Sequence, residues 1–424
     1  MQEFNSGTLL VLTDNRKARV TRLLGEGAQG IVYEIMLDGR PYALKWYKRM
    51  PSESFIDNLR KNAEEISPSE RFLWPMAVTR IKFNSIGYVM PLKPAGFEEF
   101  SKFRLAKVRF ASMRAILNAA INTCEAFRTL HAKGLSFQDI NDGGLFINPN
   151  DGRVLICDCD NVFPHGEQSG ILGKARYIAP EVVMGKSLPD SYSDRFSMAV
   201  MLFMFFCIDH PFEGMNVLRH PCMTEEIERH LFGADAKFIY DPDNANNRPV
   251  HGVHRNALMM WPLLPEELKQ IFISEFGKEK LINPPGRLTE LQWIDALSKV
   301  RDLLTRCPEC GDEVFASSGC KCLNPKCARP LDVKHWLVNG SRRYPLTIGS
   351  QIYLAGTDKP SARVLSKPGN TLDFIIQNLM EVQWTVNTPS GKTITIEPRA
   401  FVPVKPNLEI KFFNNNQNIT LKIQ

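Results

Sequence analysis

Gly25-Glu26-Gly27-Ala28-Gln29-Gly30-Ile31-Val32-Tyr33, followed by Tyr42-Ala43-Leu44-Lys45, is the stretch that decides the fold. Gly25, Gly27 and Gly30 leave a loop free of bulky side chains. Backbone N–H groups of such a loop can approach a chain of phosphates, and an ammonium on the adjoining strand can meet them. The spacing G-x-G-x-x-G is weak by itself, because dinucleotide-binding loops and ordinary turns share it. Context separates the readings. The strand-like Val20 to Leu24 enters the loop and Ile31-Val32-Tyr33-Glu34-Ile35 leaves it as a second strand, whereas a dinucleotide loop runs into a helix. The loop and Lys45 together read as an ATP site.

Outward from that hairpin, residues 8 to about 95 alternate and break at Gly39 and Pro75, with a helical insert around Ser54 to Ile66. This predicts a small, mainly β lobe. From Met113 the apolar spacing turns helical, through Ala115-Ile116-Leu117, Ala126-Phe127 and Leu130-His131, and helices are expected up to about Leu304. Gly233 to Val253, rich in Asn, Asp and Pro, reads as a long surface loop. Beyond the cysteine cluster, short alternating runs return at Leu346 to Leu354, Phe374 to Gln377, Val382 to Val386, Thr393 to Ile396 and Leu408 to Phe413. The turn signal Pro389-Ser390-Gly391-Lys392 lies among them, so this region reads as a β-sandwich.

Composition excludes several classes. A chain of 424 residues with 44% apolar residues has enough for two or three domains with buried cores. Met1-Gln-Glu-Phe-Asn-Ser has no basic start followed by an apolar run, so no secretory signal is expected. The longest apolar stretch, Met198 to Ile208, is shorter than the roughly 20 residues a bilayer requires. A soluble protein outside the membrane is expected. The net charge of +6 lies wholly in the tail: residues 301–424 hold 16 Lys and Arg against 10 Asp and Glu, and the first 300 residues hold 36 of each. A solvated surface accounts for that excess, and binding of nucleic acid through the tail is the minor reading. Five of the ten cysteines fall between Cys307 and Cys327, which suggests a metal in a reducing compartment.

Further pieces follow the glycine loop in a fixed order. His131-Ala-Lys-Gly-Leu-Ser136-Phe137-Gln138-Asp139-Ile140-Asn141 resembles the catalytic loop of protein kinases, with Asp139 where the base sits. Val154-Leu155-Ile156-Cys157-Asp158 resembles the strand leading to that family's metal-binding Asp. Ala179-Pro180-Glu181 matches its APE motif, Asp194 fits the Asp that opens a buried helix, and Arg287 lies where the family's Arg pairs with the APE glutamate. The resemblance implies a bilobal α+β fold and phosphoryl transfer from ATP, as a serine/threonine protein kinase acting on itself or a protein substrate. It assigns Lys45 to the α- and β-phosphates, Asp158 to Mg²⁺ or Mn²⁺, and Asp139 to the substrate hydroxyl. Gly25, Gly27, Gly30, Val32, Ala43, Met90, Leu92 and Lys93 are implied to line the nucleotide pocket, the last three at the hinge that follows Gly87-Tyr88-Val89-Met90. The glutamate that should pair with Lys45 stays open between Glu64 and Glu65.

Departures from the pattern stand beside the matches. The family's second metal-binding Asn falls at Gly144, the usual Lys of the catalytic loop is Asn141, and the DFG glycine is Asp160. Asp160 offers a second carboxylate near the metal. Losing one electrostatic contributor at an active site typically costs about 3 to 4 kcal/mol, so a nucleotide-binding pseudokinase scaffold is the alternative to a slow enzyme. Between Asn161 and Tyr177 there is no Thr, and Ser169 is the sole hydroxyl before Tyr177.

Cys307-Pro308-Glu309-Cys310-Gly311 has the form of a zinc knuckle, in which two thiolates two residues apart grip one tetrahedral ion. Cys322 and Cys327 are the preferred second pair, with Cys320 as the alternative to Cys322. So short a segment cannot bury a core of its own, whereas structural zinc contributes roughly 10 to 16 kcal/mol in finger peptides. From Tyr344 the tail resembles a forkhead-associated domain in Leu346-Thr347-Ile348-Gly349, Trp384-Thr385-Val386 and Leu408-Glu409-Ile410-Lys411-Phe412. Ser350 stands where such domains usually carry a phosphate-gripping Arg, so a plain β-sandwich for docking is preferred. Gln138-Asp-Ile-Asn-Asp-Gly, Cys-Asp-Cys-Asp-Asn-Val and Phe72-Leu73-Trp74-Pro75 resemble a bacterial cytoplasmic subgroup with carboxy-terminal zinc ribbons. That likeness implies a von Willebrand A protein and a metal-dependent protein phosphatase as partners. The expected layout is a kinase-like domain over 1–304 (N-lobe about 8–92, C-lobe about 93–304), a zinc ribbon over 305–332 and a forkhead-associated-like β-sandwich over 340–424.

Overall fold

Arg40–Tyr47 carries no alternation because the strand is covered on both faces. In the computed structural model, which describes residues 3–167, 173–317, 319–354, 359–367, 370–414 and 417–424, it is an inner strand of a six-stranded antiparallel sheet. The strands are β1 (Leu9–Val11), β2 (Lys17–Glu26), β3 (Gly30–Leu37), β4 (Arg40–Tyr47), β5 (Ala77–Val78) and β6 (Gly87–Pro91), in the order β1-β2-β3-β4-β6-β5. Period two sorts their side chains between two cores. Ile31, Tyr33 and Ile35 of β3 and Leu44 and Trp46 of β4 pack with Phe4 and Val20 on one face. Ala43, Tyr47, Tyr88 and Met90 turn to the other, where helix α1 (Glu53–Glu64) adds Phe55, Ile56 and Leu59. Two register shifts between β2 and β3 bend the sheet into a curl at the glycine loop. Helix α1 begins one residue before the predicted insert and ends two before its end, and it starts where Ser52 Oγ accepts from Phe55 N at 3.3 Å.

The helical region follows the spacing. Met113–His131 begins after Ser112, whose Oγ accepts from Ala115 N. Ser191–Cys207 opens on a capping box between Asp190 and Ser193 and is buried without a break from Phe196 to Cys207. That burial explains its continuous apolar run: the helix is covered on all sides by protein. Among the described residues, no helix is long and apolar enough to cross a membrane. The stretch read as a surface loop, Gly233 to Val253, differs from expectation. It holds no strand and no helix past Ala234, yet Phe238, Ile239 and Asn247 are buried, and Asn247 Nδ2 donates to Phe212 O and Lys237 O. Its polar composition conceals an anchor. Ser169 lies outside the described residues.

By contacts the chain falls into two units. The first comprises Met1–Ala111, Asn118–Asn256 and Ile273–Leu291, and the second Ser112–Leu117, Ala257–Phe272 and Gln292–Gln424. In the second, Leu304–Arg306 and Glu313–Phe315 form a hairpin whose turn carries Cys307 and Cys310. Beyond it lie a six-stranded and a four-stranded antiparallel sheet. Both contribute to one core, with Trp384, Ile410 and Phe412 from the first and Val364, Ile376 and Val402 from the second. The expected run Leu346 to Leu354 is not one strand. A turn in which Ser350 N donates to Thr347 O, with Gly349 at φ 86°, separates Arg342–Pro345 in the larger sheet from Gln351–Ile352 in the smaller. Trp336–Asn339, Ala362–Lys367, Phe401–Pro403 and Gln417–Ile423 are strands that the alternation did not reveal.

Candidate functional site

Register assembles the cleft on the β-lobe side. Lys45 on β4 stands opposite Tyr88 on β6, and Tyr47 follows two residues later on the same face. Lys45 Nζ meets Asp158 Oδ1 at 2.9 Å and Asp160 at 3.1 and 2.9 Å from its two oxygens. Tyr47 OH donates to Asp160 Oδ2 at 2.5 Å and Tyr88 OH to Asp160 Oδ1 at 3.0 Å. Burial opposes the charge on Lys45, but the two carboxylates outweigh it and hold the ammonium's pKa above its ordinary value. Burial pushes both phenols well up, and the Asp160 carboxylate adds to that push.

The glycines of the β2–β3 loop divide into two kinds. A Cβ on Gly30 would sit 2.6 Å from Trp46 O, so that position is fixed by the neighbouring strand. A Cβ on Gly25 would meet nothing within 4 Å, and one on Gly27 only Gly30 O at 3.9 Å. Those two leave open space. Ala43 and Met90, with the partly buried Val32, Leu92, Phe146 and Cys157, belong to the apolar cluster on the face of Lys45. Lys93 is tied down by a bond from its Nζ to Phe97 O at 2.7 Å.

The opposite wall comes from two short segments. Asp158 sits in the left-handed region at φ 58°, a conformation Asp tolerates better than most residues, and leads a 3₁₀ turn over Cys159–Asn161. Its side chain is 41% exposed, whereas Asp160 is wholly closed to solvent. Asp139 is half-buried and accepts from Asn141 Nδ2 at 3.0 Å. Burial pushes its pKa up to about 6, the nearby Asp158 adds to that, and the Asn141 bond opposes it. Lys174 Nζ lies 3.5 Å from Asn141 Oδ1. A Cβ on Gly173 would come within 3.2 Å of Asp139 Oδ1.

Behind this wall stand two buried clusters. Asp194 accepts from Phe137 N at 2.6 Å and Gln138 N at 2.9 Å, which fixes the loop before Asp139. His131 Nε2 lies 3.1 Å from Asp194 and its Nδ1 2.9 Å from Glu290, which also accepts from Arg195. Burial works against a charged His131, but these carboxylates lift its pKa to about 9. Burial likewise opposes the Glu290 charge, while His131 and Arg195 draw its pKa down to about 2. The second cluster is bidentate: both terminal nitrogens of Arg287 bind Glu181 at 2.7 Å.

Of the residues expected at the cleft, Lys45, Asp158 and Asp160 come together directly. Glu64 and Glu65 are both exposed. The inner face of α1 carries amides instead, with Asn58 and Asn62 donating to Val162 O at 2.7 and 2.9 Å. Asp160, expected to offer a carboxylate to the metal, has both oxygens occupied by Lys45, Tyr47 and Tyr88. Tyr47, Tyr88 and His131 escaped the sequence reading. The two tyrosines had one signal, a polar tip two residues past Lys45 and another facing it across the strands, inside runs otherwise apolar.

In the second unit, the Sγ atoms of Cys307, Cys310, Cys322 and Cys327 all lie within 4.8 Å of one another, and Cys320 stands outside the group. The separations Cys307–Cys327 and Cys310–Cys322 are 3.8 and 3.4 Å. Four thiolates at about 2.3 Å around a tetrahedral ion sit about 3.8 Å apart, so the donor set fits. Burial raises the Cys307 thiol, but N–H groups of Cys310 and Glu309 and the neighbouring thiols bring it to about 7. Ser350 is buried, with its Oγ 2.7 Å from Thr305 Oγ1.

Residues 18–272 match the family model described as a protein kinase domain. The chain is 23% identical to "Protein kinase YegI" of Escherichia coli (strain K12) over 365 residues, 81% of this chain and 52% of that one. It is 34% identical to "Protein kinase C delta type" of Mus musculus over 204 residues, 46% of this chain and 29% of that one. It is 25% identical to "Serine/threonine-protein kinase PknA" of Mycobacterium tuberculosis (strain ATCC 25177 / H37Ra) over 220 residues, 49% of this chain and 50% of that one. The chain therefore spans about half the length of YegI and PknA. A solved structure, "Structure of vaccinia related kinase 3", shares the fold with a TM-score of 0.51 and 15% identity, covering 70% of this chain and 91% of that one.

Proposed function

The chain belongs to the protein kinase family, and on that premise we propose that it transfers the γ-phosphate of ATP to a Ser or Thr hydroxyl of itself or of a protein partner. The observation that carries this reading is the 2.9 Å contact between Lys45 on the β lobe and Asp158 on the facing segment. It joins the family's phosphate-binding cation to its metal-binding carboxylate. Lys45 holds the α- and β-phosphates, under a loop that Gly25 and Gly27 leave open. Val32, Ala43, Met90 and Leu92 supply an apolar bed for the base. Asp139, lifted to about 6, accepts the substrate's hydroxyl proton, and Asp194 fixes the backbone that presents it.

Asp158 suits a hard divalent cation, because it offers carboxylate oxygens on a partly exposed side chain. Mg²⁺, when bound there, offsets the negative charge of the phosphates. The test uses the purified chain with labelled ATP and Mg²⁺ or Mn²⁺. Asp158→Ala should lower transfer about a hundredfold to a thousandfold. No transfer by the native chain, or transfer unchanged in that variant, overturns the reading. Gly144, which has no side chain to meet a second metal ion, favours a second reading, a pseudokinase scaffold that binds nucleotide without turning it over.

The four-cysteine group is proposed as a structural zinc site within a zinc ribbon over 305–332. Four thiolates leave no open position for catalysis. One zinc per purified chain is the expected content, and none after washing without chelator refutes it. The two-sheet region is proposed as a forkhead-associated-like docking module that does not grip phosphate through Ser350, since that hydroxyl is buried. A von Willebrand A protein and a metal-dependent phosphatase are the proposed partners in a bacterial cytoplasm, to be checked by co-purification.

A further inference from the structure

Resting on the nucleotide site just described, we propose that Asp160 is the positioning residue of Lys45: a carboxylate that Tyr47 and Tyr88 clamp beneath the ammonium, in place of one supplied by helix α1. Four contacts saturate its two oxygens. Oδ1 accepts from Tyr88 OH at 3.0 Å and Lys45 Nζ at 3.1 Å, and Oδ2 accepts from Tyr47 OH at 2.5 Å and Lys45 Nζ at 2.9 Å. Asp160 and Tyr88 are fully buried, and Tyr47 is 4% exposed. A carboxylate so enclosed cannot turn to a cation without abandoning all four partners and leaving two phenols unsatisfied in the interior. Asp158, with its side chain 41% exposed, is the more accessible of the two to a ligand.

The helix shows the same division from its own side. Its inner positions are Asn58 and Asn62, one turn apart, and both amides grip Val162 O, just past the 3₁₀ turn that holds Asp160. The cation's counter-charge and the candidate metal ligand thus sit two residues apart in one turn. Helix α1 braces that turn without touching Lys45 through a carboxylate. A shift of the helix acts on the cleft through Val162, and the ammonium stays anchored to the segment that carries Asp158.

The test compares ATP with adenosine. Both are titrated against the full chain in EDTA, so that no metal contributes, and against Asp160→Asn. With the clamp lost, the ammonium closes on Asp158 alone, and phosphates must break that undivided pair to reach it. ATP binding should weaken about tenfold, a difference of about 1.4 kcal/mol, with adenosine affinity unchanged. Should Asp160→Asn not fold, the double variant Tyr47→Phe/Tyr88→Phe is read by the same ratio and moves it in the same direction. Equal weakening of both ligands marks a purely structural role and overturns the proposal, as does an unchanged ratio. The kinase reading fails separately, through absent phosphate transfer by the native chain, which leaves the binding ratio measurable.

Discussion

Two buried ion pairs of the first unit are built on different arithmetic. Arg287 and Glu181 meet one to one through two parallel bonds of 2.7 Å, and the guanidinium is 1% exposed. Lys45 meets two carboxylates at once, with two phenols completing the inner one. The first arrangement is closed, its charges matched one to one, so it holds Glu181 and, through Tyr192 O, the chain around it. The second carries a surplus negative charge, placed on the more exposed partner, Asp158. A site meant to receive a divalent cation with an anionic ligand gains from such a surplus, because the ammonium alone would be neutralised by either carboxylate. On the proposed function, unequal stoichiometry separates a strut from a receptor.

Breaking the closed pair should have the largest effect on stability. Arg287→Ala leaves Glu181 charged and largely buried, which typically costs about 3 to 5 kcal/mol. Chemical denaturation of the variant against the native chain measures it. Asp158→Ala sharpens the contrast, since Lys45 keeps Asp160 and the lost partner is half-exposed, so its stability cost is expected below about 1 kcal/mol. Equal losses in the two variants would show that both pairs are struts.

The comparison also explains what the sequence could and could not reveal. Arg287 and Glu181 were legible because the order of motifs along the chain marks them, although 106 residues separate the pair. Lys45 was legible for the same reason, but its partner was sought on the helix. Glu64 and Glu65 have the right chemistry and face solvent. Its buried partner, Asp160, was read as a metal ligand, because sequence order places Asp160 beside Asp158 and cannot say which of two neighbouring carboxylates turns inward. That choice is made by Tyr47 and Tyr88, whose hydroxyls converge only once β4 and β6 are paired. His131 stayed hidden likewise: its partners Asp194 and Glu290 lie 63 and 159 residues away, with nothing local to mark the meeting. In the second unit, Trp384–Asn387 and Thr393–Ile396 were visible through their Gly391 turn. Gln417–Ile423 lay beyond the last run singled out, Leu408 to Phe413.

The smaller of the two expected rate effects tests whether the receptor lacks a part. Where the family carries its second metal-binding Asn, this chain has Gly144, and a Cβ added there would meet only Cys157 O at 3.7 Å and Asn141 O at 3.9 Å. Those are ordinary contacts, so the Cβ that Gly144→Asn adds can be accommodated. If a missing ligand limits the rate, the variant should transfer phosphate about tenfold faster, a gain of about 1.4 kcal/mol, at saturating Mg²⁺. Steady-state turnover over a Mg²⁺ titration reads it, with the gain largest at high metal. An unchanged rate would mean that Asp158 and the Lys45 ammonium suffice without a second metal ligand. Asp158 and Asp160 would then divide the work between them, one open to the ligand and one clamped beneath the ammonium.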